Sequence, residues 1–352
     1  MYKYSNDMGE IKNDRLLDLY NKQHKFKLDE PELLIKIESA LSLSNADFDL
    51  PIIVLREGVL VAFCLAHLSY REKINGLGCL NFSNVISSGD VEALRFMFRQ
   101  IFFVAEIKML IQGKDSILYG PIHNSILIDR GCRTFAGEPF TYKMPDNNLE
   151  LCDMLDKIGC QKEKDLIEII YDYDSRDKLL ISLDDDLLMR TPKVDYYSVD
   201  GKEIFKLRKE LAEFYNSSWQ ENWGYSPITD VEMGIAAENI NNIMGMIARK
   251  NGKIIGCTMM QFIVESSNKV GRAFLSGVLP EYRGTGLSIV LTSKLSKIAI
   301  ENNIKRFSLS WMLEDNKIII GTMQRFMQYG NSNTRHYRIY SLSQGMFEGN
   351  LL

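Results

Sequence analysis

Residues 277–288, reading Gly-Val-Leu-Pro-Glu-Tyr-Arg-Gly-Thr-Gly-Leu-Ser, constrain this chain more than any other stretch. A strand-like run, RAFLSGVL, ends at Leu279, and Pro280 and a Gly-rich turn follow it. Leu287, Leu291, Leu295 and Ile298 then recur at the spacing of one helical face. A strand is therefore expected to turn sharply into a helix. The first amides of a helix have no partner inside it, and the aligned peptide dipoles add positive potential there. Gly284 and Gly286 would let backbone amides approach an anion without a Cβ in the way, and Arg283 would add a charge. The segment is a candidate pyrophosphate cradle. For a bare Gly-x-Gly the plainer reading, an ordinary strand-to-helix turn, is the commoner one and stays open.

The flanks repeat one order of elements. Ile204, Leu207, Leu211 and Phe214 mark a buried helical face, and Thr229-Asp-Val-Glu232 has the spacing of a capping box. IMGMIARK and KIIGCTMMQFIV form a hairpin across Asn251-Gly252, a dipeptide suited to positive φ. A strand from Arg306 (RFSLSWML), a helix to about Tyr329 and a strand from Tyr337 to Leu342 complete the order. The N-terminal half shows a weaker version. Pro31–Leu43 reads as a helix, and PIIVLREGVLVAFCLAHLS as a hairpin turning at Glu57-Gly58. GLGCLNFSNV then reads as a strand, Asp90–Ile111 as a helix, SILYGPI as a strand, Leu149–Lys157 as a helix and LIEIIYDY as a strand.

At 352 residues, two domains of the usual ~100–200 residues are expected. The charge-rich stretch 175–193 places their boundary at 185/186, giving domains 1–185 and 186–352. A net charge of −4 gives no electrostatic reason to bind nucleic acid or an anionic membrane. The polar start and the lack of an apolar run of ~18 residues argue against a signal peptide or membrane span and predict a cytoplasmic protein. Six cysteines and four histidines are scattered without metal-ligand spacing, so no metal site is expected.

With its flanks, Arg283-Gly-Thr-Gly286-Leu-Ser288 resembles motif A of the GNAT superfamily, Arg/Gln-x-x-Gly-x-Gly/Ala, with Ser288 standing where Gly or Ala is usual. Asn216-Ser-Ser-Trp219-Gln-Glu-Asn222-Trp223-Gly224, Ser310–Asn316 and Tyr337–Tyr340 are similar to a bacterial branch of large GNAT-like proteins, as is Tyr119–Ile122 in the N-terminal half. The resemblance covers the last ~160 residues and implies an α/β (α+β) fold of two tandem GNAT-like domains, each with a mixed, mostly antiparallel sheet flanked by helices. The N-terminal domain is a degenerate copy, because Ser88-Gly89-Asp90 replaces the cradle and Asp90 would repel a pyrophosphate.

The same resemblance implies an N-acetyltransferase that takes acetyl-CoA as acyl donor and acetylates an amine by direct attack in a ternary complex. Backbone groups around Val278 and Leu279 would pair with pantetheine, with an amide near Leu279 beside the thioester carbonyl. Arg283, Gly284, Thr285, Gly286, Leu287 and Ser288 would hold the pyrophosphate, and Asn316 would reach the pantetheine arm. Family members often carry a Tyr two turns into the following helix. Here that place falls near Met323 or Phe326, which leaves Tyr329 as the nearest phenol. Glu314 is the candidate base or anchor for the amine. Equally open is that Tyr329 packs and Glu314 caps a helix. Trp219 and Trp223 could wall the acceptor pocket or fill the core, and His67 and His123 read as structural. The expected acceptor is a small-molecule amine. Two alternatives remain: an acyltransferase using a longer acyl-CoA or an acyl or peptidyl carrier protein thioester, and a non-catalytic acyl-CoA sensor.

Overall fold

The computed structural model describes residues 1–10, 13–25, 27–44, 46–74, 77–108, 116–125, 127–128, 130–137, 144–176, 189, 191–238, 242–265 and 268–349. The chain divides into two compact units, one of residues 1–166 and 336–352, the other of residues 167–335. The boundary expected at 185/186 lies outside the described residues, as do residues 109–111 of the helix expected over Asp90–Ile111.

Unit 1 begins with β1 (Tyr2–Ser5), α1 (Asn13–Gln23) and α2 (Glu30–Ser42). β2 (Phe48–Arg56), β3 (Val59–Ile74), β4 (Leu77–Ser87), α3 (Val91–Ile107), β5 (Ile117–Gly120), β6 (Cys132–Arg133) and α4 (Glu150–Ile158) follow. The hairpin between β2 and β3 turns at Glu57 and Gly58, both at positive φ, as its sequence predicts. β4 and β5 are parallel, and the other recorded pairs in this unit are antiparallel. One face of the sheet packs on α1 and α2 around Leu16, Ile37 and Phe63. The other packs on α3 and α4 around Leu94, Phe98 and Leu155.

β7 (Gln161–Asp172) leads into unit 2. There β8 (Asp195–Asp200), α5 (Gly201–Lys206), α6 (Arg208–Trp219) and α7 (Asp230–Ala237) precede the hairpin of β9 (Ile243–Lys250) and β10 (Lys253–Glu265). β11 (Asn268–Val278), α8 (Leu287–Glu301), β12 (Arg306–Leu313) and α9 (Lys317–Phe326) complete it. The strand order is β7-β12-β11-β10-β9-β8. The capping box at Thr229 and Glu232 starts α7, and Asn251 and Gly252 take positive φ in the β9–β10 turn. The single helical face read through Leu207 is interrupted: Leu207, at φ −90° and ψ 5°, ends α5 and begins α6. α8 packs Leu287 and Leu291 onto Gly256 of β10, where a Cβ would lie 2.9 Å from Leu291 Cδ1.

The final strand, β13 (Asn331–Ser343), departs from the sequence order. From His336 onward its residues belong to unit 1, where Tyr340–Ser343 pair antiparallel with Ile117–Gly120 of β5. Ile339, Tyr340 and Leu342 are buried, and Tyr340 and Leu342 join the core beneath α3. The chain closes with α10 (Gln344–Gly349). Among the described residues no helix is long and apolar enough to cross a membrane.

Candidate functional site

β11 and β12 run parallel, and their pairing joins Val270–Ala273 to Arg306–Leu309. β11 continues to Val278 and β12 to Leu313. Beyond Ala273 and Leu309 the two strands part, leaving a V between their facing edges. The cause is local. Ala273 lies opposite Met260 and Leu275 opposite Met259, so Phe274 is an extra residue in β11. A bulge of this kind bends its strand and increases the local twist.

The end of β11 sorts its backbone groups between two edges. The Leu279 amide donates to Ile255 O at 2.9 Å, and Leu279 O accepts from the Tyr282 amide at 2.9 Å. Both groups of Leu279 therefore have a partner within the fold. Because successive residues of a strand direct their hydrogen-bonding groups to opposite edges, Val278 directs its own into the V.

The turn that follows is braced from inside. Pro280–Tyr282 form one 3₁₀ turn, the Arg283 amide donates to Pro280 O at 3.1 Å, and Thr285 Oγ1 donates to Tyr282 O at 2.7 Å. Gly284 and Gly286 sit at φ +77° and +82°, in the left-handed region, and Gly286 caps α8. A Cβ on Gly284 would meet no atom within 4 Å, so this side of the turn is open. The Ile289 and Val290 amides bond back to Gly286 O. Those of Leu287 and Ser288 come before the first intrahelical bonds and point out of the helix start. Arg283 is exposed, and its guanidinium donates to Ser218 O, 2.6 Å away in the last turn of α6. This ties the turn to α6 and sets a cation against the negative end of that helix.

Trp219, half-buried, stacks on Tyr215 at 5.0 Å and covers Gly277 on the face of β11. Asn216 fastens the loop beyond α6. Its Nδ2 donates to Ile228 O, and its Oδ1 accepts from the Ile228 amide, both at 2.9 Å, and from Tyr225 Oη at 3.0 Å. The expected candidates on the β12 side are spread out. Glu314 is half-buried directly after β12. Asn316 caps α9, its Oδ1 accepting from the Ile319 amide at 3.3 Å. Tyr329 lies beyond the end of α9, 50% exposed, with the Arg176 guanidinium 6.0 Å from its ring centre.

Unit 1 holds no comparable cradle at the matching turn. Asp90 caps α3 by accepting from the Ala93 amide at 3.1 Å, and it also accepts from Tyr2 Oη at 2.8 Å. The parallel pairing of β4 with β5 joins Leu80–Asn81 to Leu118–Tyr119. Past it, the buried Gln23 of α1 bonds the edge of β4, donating to Val85 O at 2.5 Å and accepting from the Ser87 amide at 2.8 Å. Nothing in the sequence near Gln23 signals this contact. His67 is fully buried between Asp49 and Ser83, with ring contacts of 2.5 and 2.7 Å. Burial, with His67 beside it, pushes the pKa of His123 well down. Its Nε2 donates to Ala40 O at 2.7 Å, and its Nδ1 accepts from the Ser125 amide at 2.8 Å.

Residues 206–329 match the acetyltransferase (GNAT) family. A segment of 124 residues, 35% of this chain, is 29% identical to 84% of acetyltransferase ECA0875 of Pectobacterium atrosepticum. Over an alignment of 180 positions, spanning 42% of this chain and only 45% of that relative, the chain is 23% identical to protein YghO of Escherichia coli K12. Among solved structures, a tandem GNAT protein from the clavulanic acid biosynthesis pathway aligns over 98% of this chain and 99% of its own, with TM-score 0.58 and 12% identity. A glucosamine N-acetyltransferase region of a fungal multi-domain β-N-acetylglucosaminidase aligns over 97% of this chain and 38% of its own, with TM-score 0.60 and 12% identity. At that identity the structural likeness speaks for the fold alone. Residues 206–329 are thus similar to the GNAT acetyltransferase family, and the fold of the chain is that of a tandem GNAT protein.

Proposed function

We propose that the chain is a cytoplasmic N-acetyltransferase that binds acetyl-CoA in unit 2 and passes its acetyl group to a small-molecule amine by direct attack within a ternary complex. The observation that carries this reading is the V between β11 and β12 beside a left-handed Gly284–Gly286 turn at the start of α8. The residues present fit the donor: the turn is open at Gly284, the Leu287 and Ser288 amides face outward for a pyrophosphate, and Val278 offers backbone groups to an amide-bearing arm. Arg283 and Thr285 hold the turn in shape. Bound acetyl-CoA supplies an acyl carbon activated by a thiolate leaving group.

The chain's own groups have simpler tasks. Glu314, at the end of β12 where the strands have parted, holds the ammonium form of the acceptor and takes up its proton through water. Tyr329 is the phenol assigned to the departing thiolate. Thiol release from acetyl-CoA across a panel of amines tests the reading, with release that depends on the amine expected. A second reading, a non-catalytic acyl-CoA-binding module, is favoured by one observation: α9, Lys-Ile-Ile-Ile-Gly-Thr-Met-Gln-Arg-Phe, contains no tyrosine. Tight acetyl-CoA binding without thiol release on any amine would support it.

A further inference from the structure

Cysteines that lie scattered in the sequence are brought together in unit 1. Cys132, in β6, and Cys152, in the first turn of α4, both belong to the core beneath α3 and α4. The Cys132 thiol hydrogen-bonds the Cys152 sulfur. Cys132 Sγ also accepts from Asn147 Nδ2 at 3.2 Å, and Cys152 Sγ lies 3.2 Å from the carbonyl oxygen of Arg133, the residue after Cys132. These contacts hold the two sulfurs side by side.

The pair is unequal. Burial pushes the Cys132 thiol well up, so it stays protonated and serves as the donor. The hydrogen bond from Cys132 holds Cys152 below its ordinary value, although burial works against it. Cys64, Cys160 and Cys257 are instead pushed up by burial. Oxidation selects thiols with thiolate character and some access. Cys152 is 8% exposed, whereas Cys132 is fully buried. Gly131, Asn147 and Leu151, the chain neighbours or partners of the pair, line a cavity of about 50 Å³. Hydrogen peroxide, the size of two water-like groups, needs roughly 20–30 Å³.

We infer that Cys152 and Cys132 form a site of reversible oxidation, at which hydrogen peroxide converts the two thiols to a disulfide. The Cys152 thiolate attacks one peroxide oxygen, the O–O bond breaks and hydroxide leaves, giving a sulfenic acid. The Cys132 sulfur then attacks the Cys152 sulfur, the S–O bond breaks, and water leaves with the Cys132 proton. The bridge ties β6 to α4 and withdraws Cys152 from Arg133 O. This site lies in unit 1 and is independent of the acetyltransferase reading.

Intact-mass analysis of the full chain, reduced, freed of reductant and treated with hydrogen peroxide, tests it. Wild type is expected to lose two hydrogens, to regain them with dithiothreitol, and to yield on digestion a cross-linked pair of peptides containing Cys132 and Cys152. Cys152→Ala is expected to form no disulfide. Cys132→Ala, which lacks both the donor and the second sulfur, is expected to stop at a sulfenic acid on Cys152, captured by dimedone and formed more slowly than in wild type. Wild type that forms no disulfide, a bridge to any other cysteine, or a bridge that survives in Cys152→Ala overturns the inference. The wild-type outcome decides by itself should either variant fail to fold.

Discussion

The indole of Trp219 occupies the space that a Cβ on Gly277 would take: the nearest ring carbon lies 2.4 Å from that position. Ser218, next to Trp219, is also where Arg283 fastens the glycine turn. Gly277→Ala should therefore displace the ring and loosen α6 against the turn. The expected cost is about 1–3 kcal/mol of stability, as for other overpacked sites, read in urea unfolding, together with weaker CoA binding. An alanine variant as stable as wild type would show that the ring shifts freely.

Gly286 caps α8 at φ +82°, where a β-branched side chain is strained and a Cβ would crowd the outward amides of the helix start. Gly286→Val should weaken CoA at least tenfold, or about 1.4 kcal/mol, in a chain whose circular dichroism is unchanged. Wild type should bind one CoA per chain, because Asp90 and Gln23 already use the backbone groups that unit 1 would need. Two equivalent sites in calorimetry, or full binding by the valine variant, would contradict this.

Glu314 directly follows β12 and is half-buried. Its amide analogue cannot take up a proton. Glu314→Gln should lower turnover on the true acceptor tenfold or more, within the ~10²–10⁴ usual for general acid–base groups, while CoA affinity stays nearly unchanged. Full turnover in the variant across the pH range would make Glu314 a helix-end residue only.

Asp165 is nearly buried, and burial works to raise its pKa. Hydrogen bonds from Arg338 Nε at 3.0 Å and Lys162 Nζ at 3.0 Å outweigh this and hold the carboxyl below its ordinary value. The unfolded carboxyl titrates near ~3.9, so the folded protein binds fewer protons than the unfolded chain between the two values. The stabilisation from Asp165 is thus fully present above about 3.9 and is lost as pH falls through the lower, folded value. Asp165→Asn should cost about 1.5–3 kcal/mol at neutral pH, the range for hydrogen bonds to charged groups. Melting curves should show the gap to wild type closing in acid, and a gap independent of pH would rule out the carboxylate as its source.

The sequence made legible whatever is written in short-range chemistry. The Asn251-Gly252 turn, the Thr229–Glu232 capping box and the Gly-rich turn before α8 each need particular residues at fixed spacing, and each appears where expected. The edge strands β1 and β8 escaped notice, because Tyr-Lys-Tyr-Ser and Asp-Tyr-Tyr-Ser-Val-Asp are short and largely polar. Contacts made across long separations left no local mark. Gln23 meets a strand more than sixty positions away, and Cys132 meets Cys152 from a different element. Which edge a strand residue faces also depends on its neighbours: the Leu279 amide is turned toward Ile255.

Residues 336–352 belong to unit 1, although all of unit 2 lies between them and the remainder of unit 1. A ribosome emitting this chain in order would therefore finish unit 2 while unit 1 still lacked the strand that lies beside β5. Until then the β5 edge would stand open, with unpaired backbone groups that invite association with other chains. Unit 2 can collapse as a contiguous stretch during synthesis. Unit 1, whose closing strand arrives after unit 2, bears the high sequence separation that slows folding.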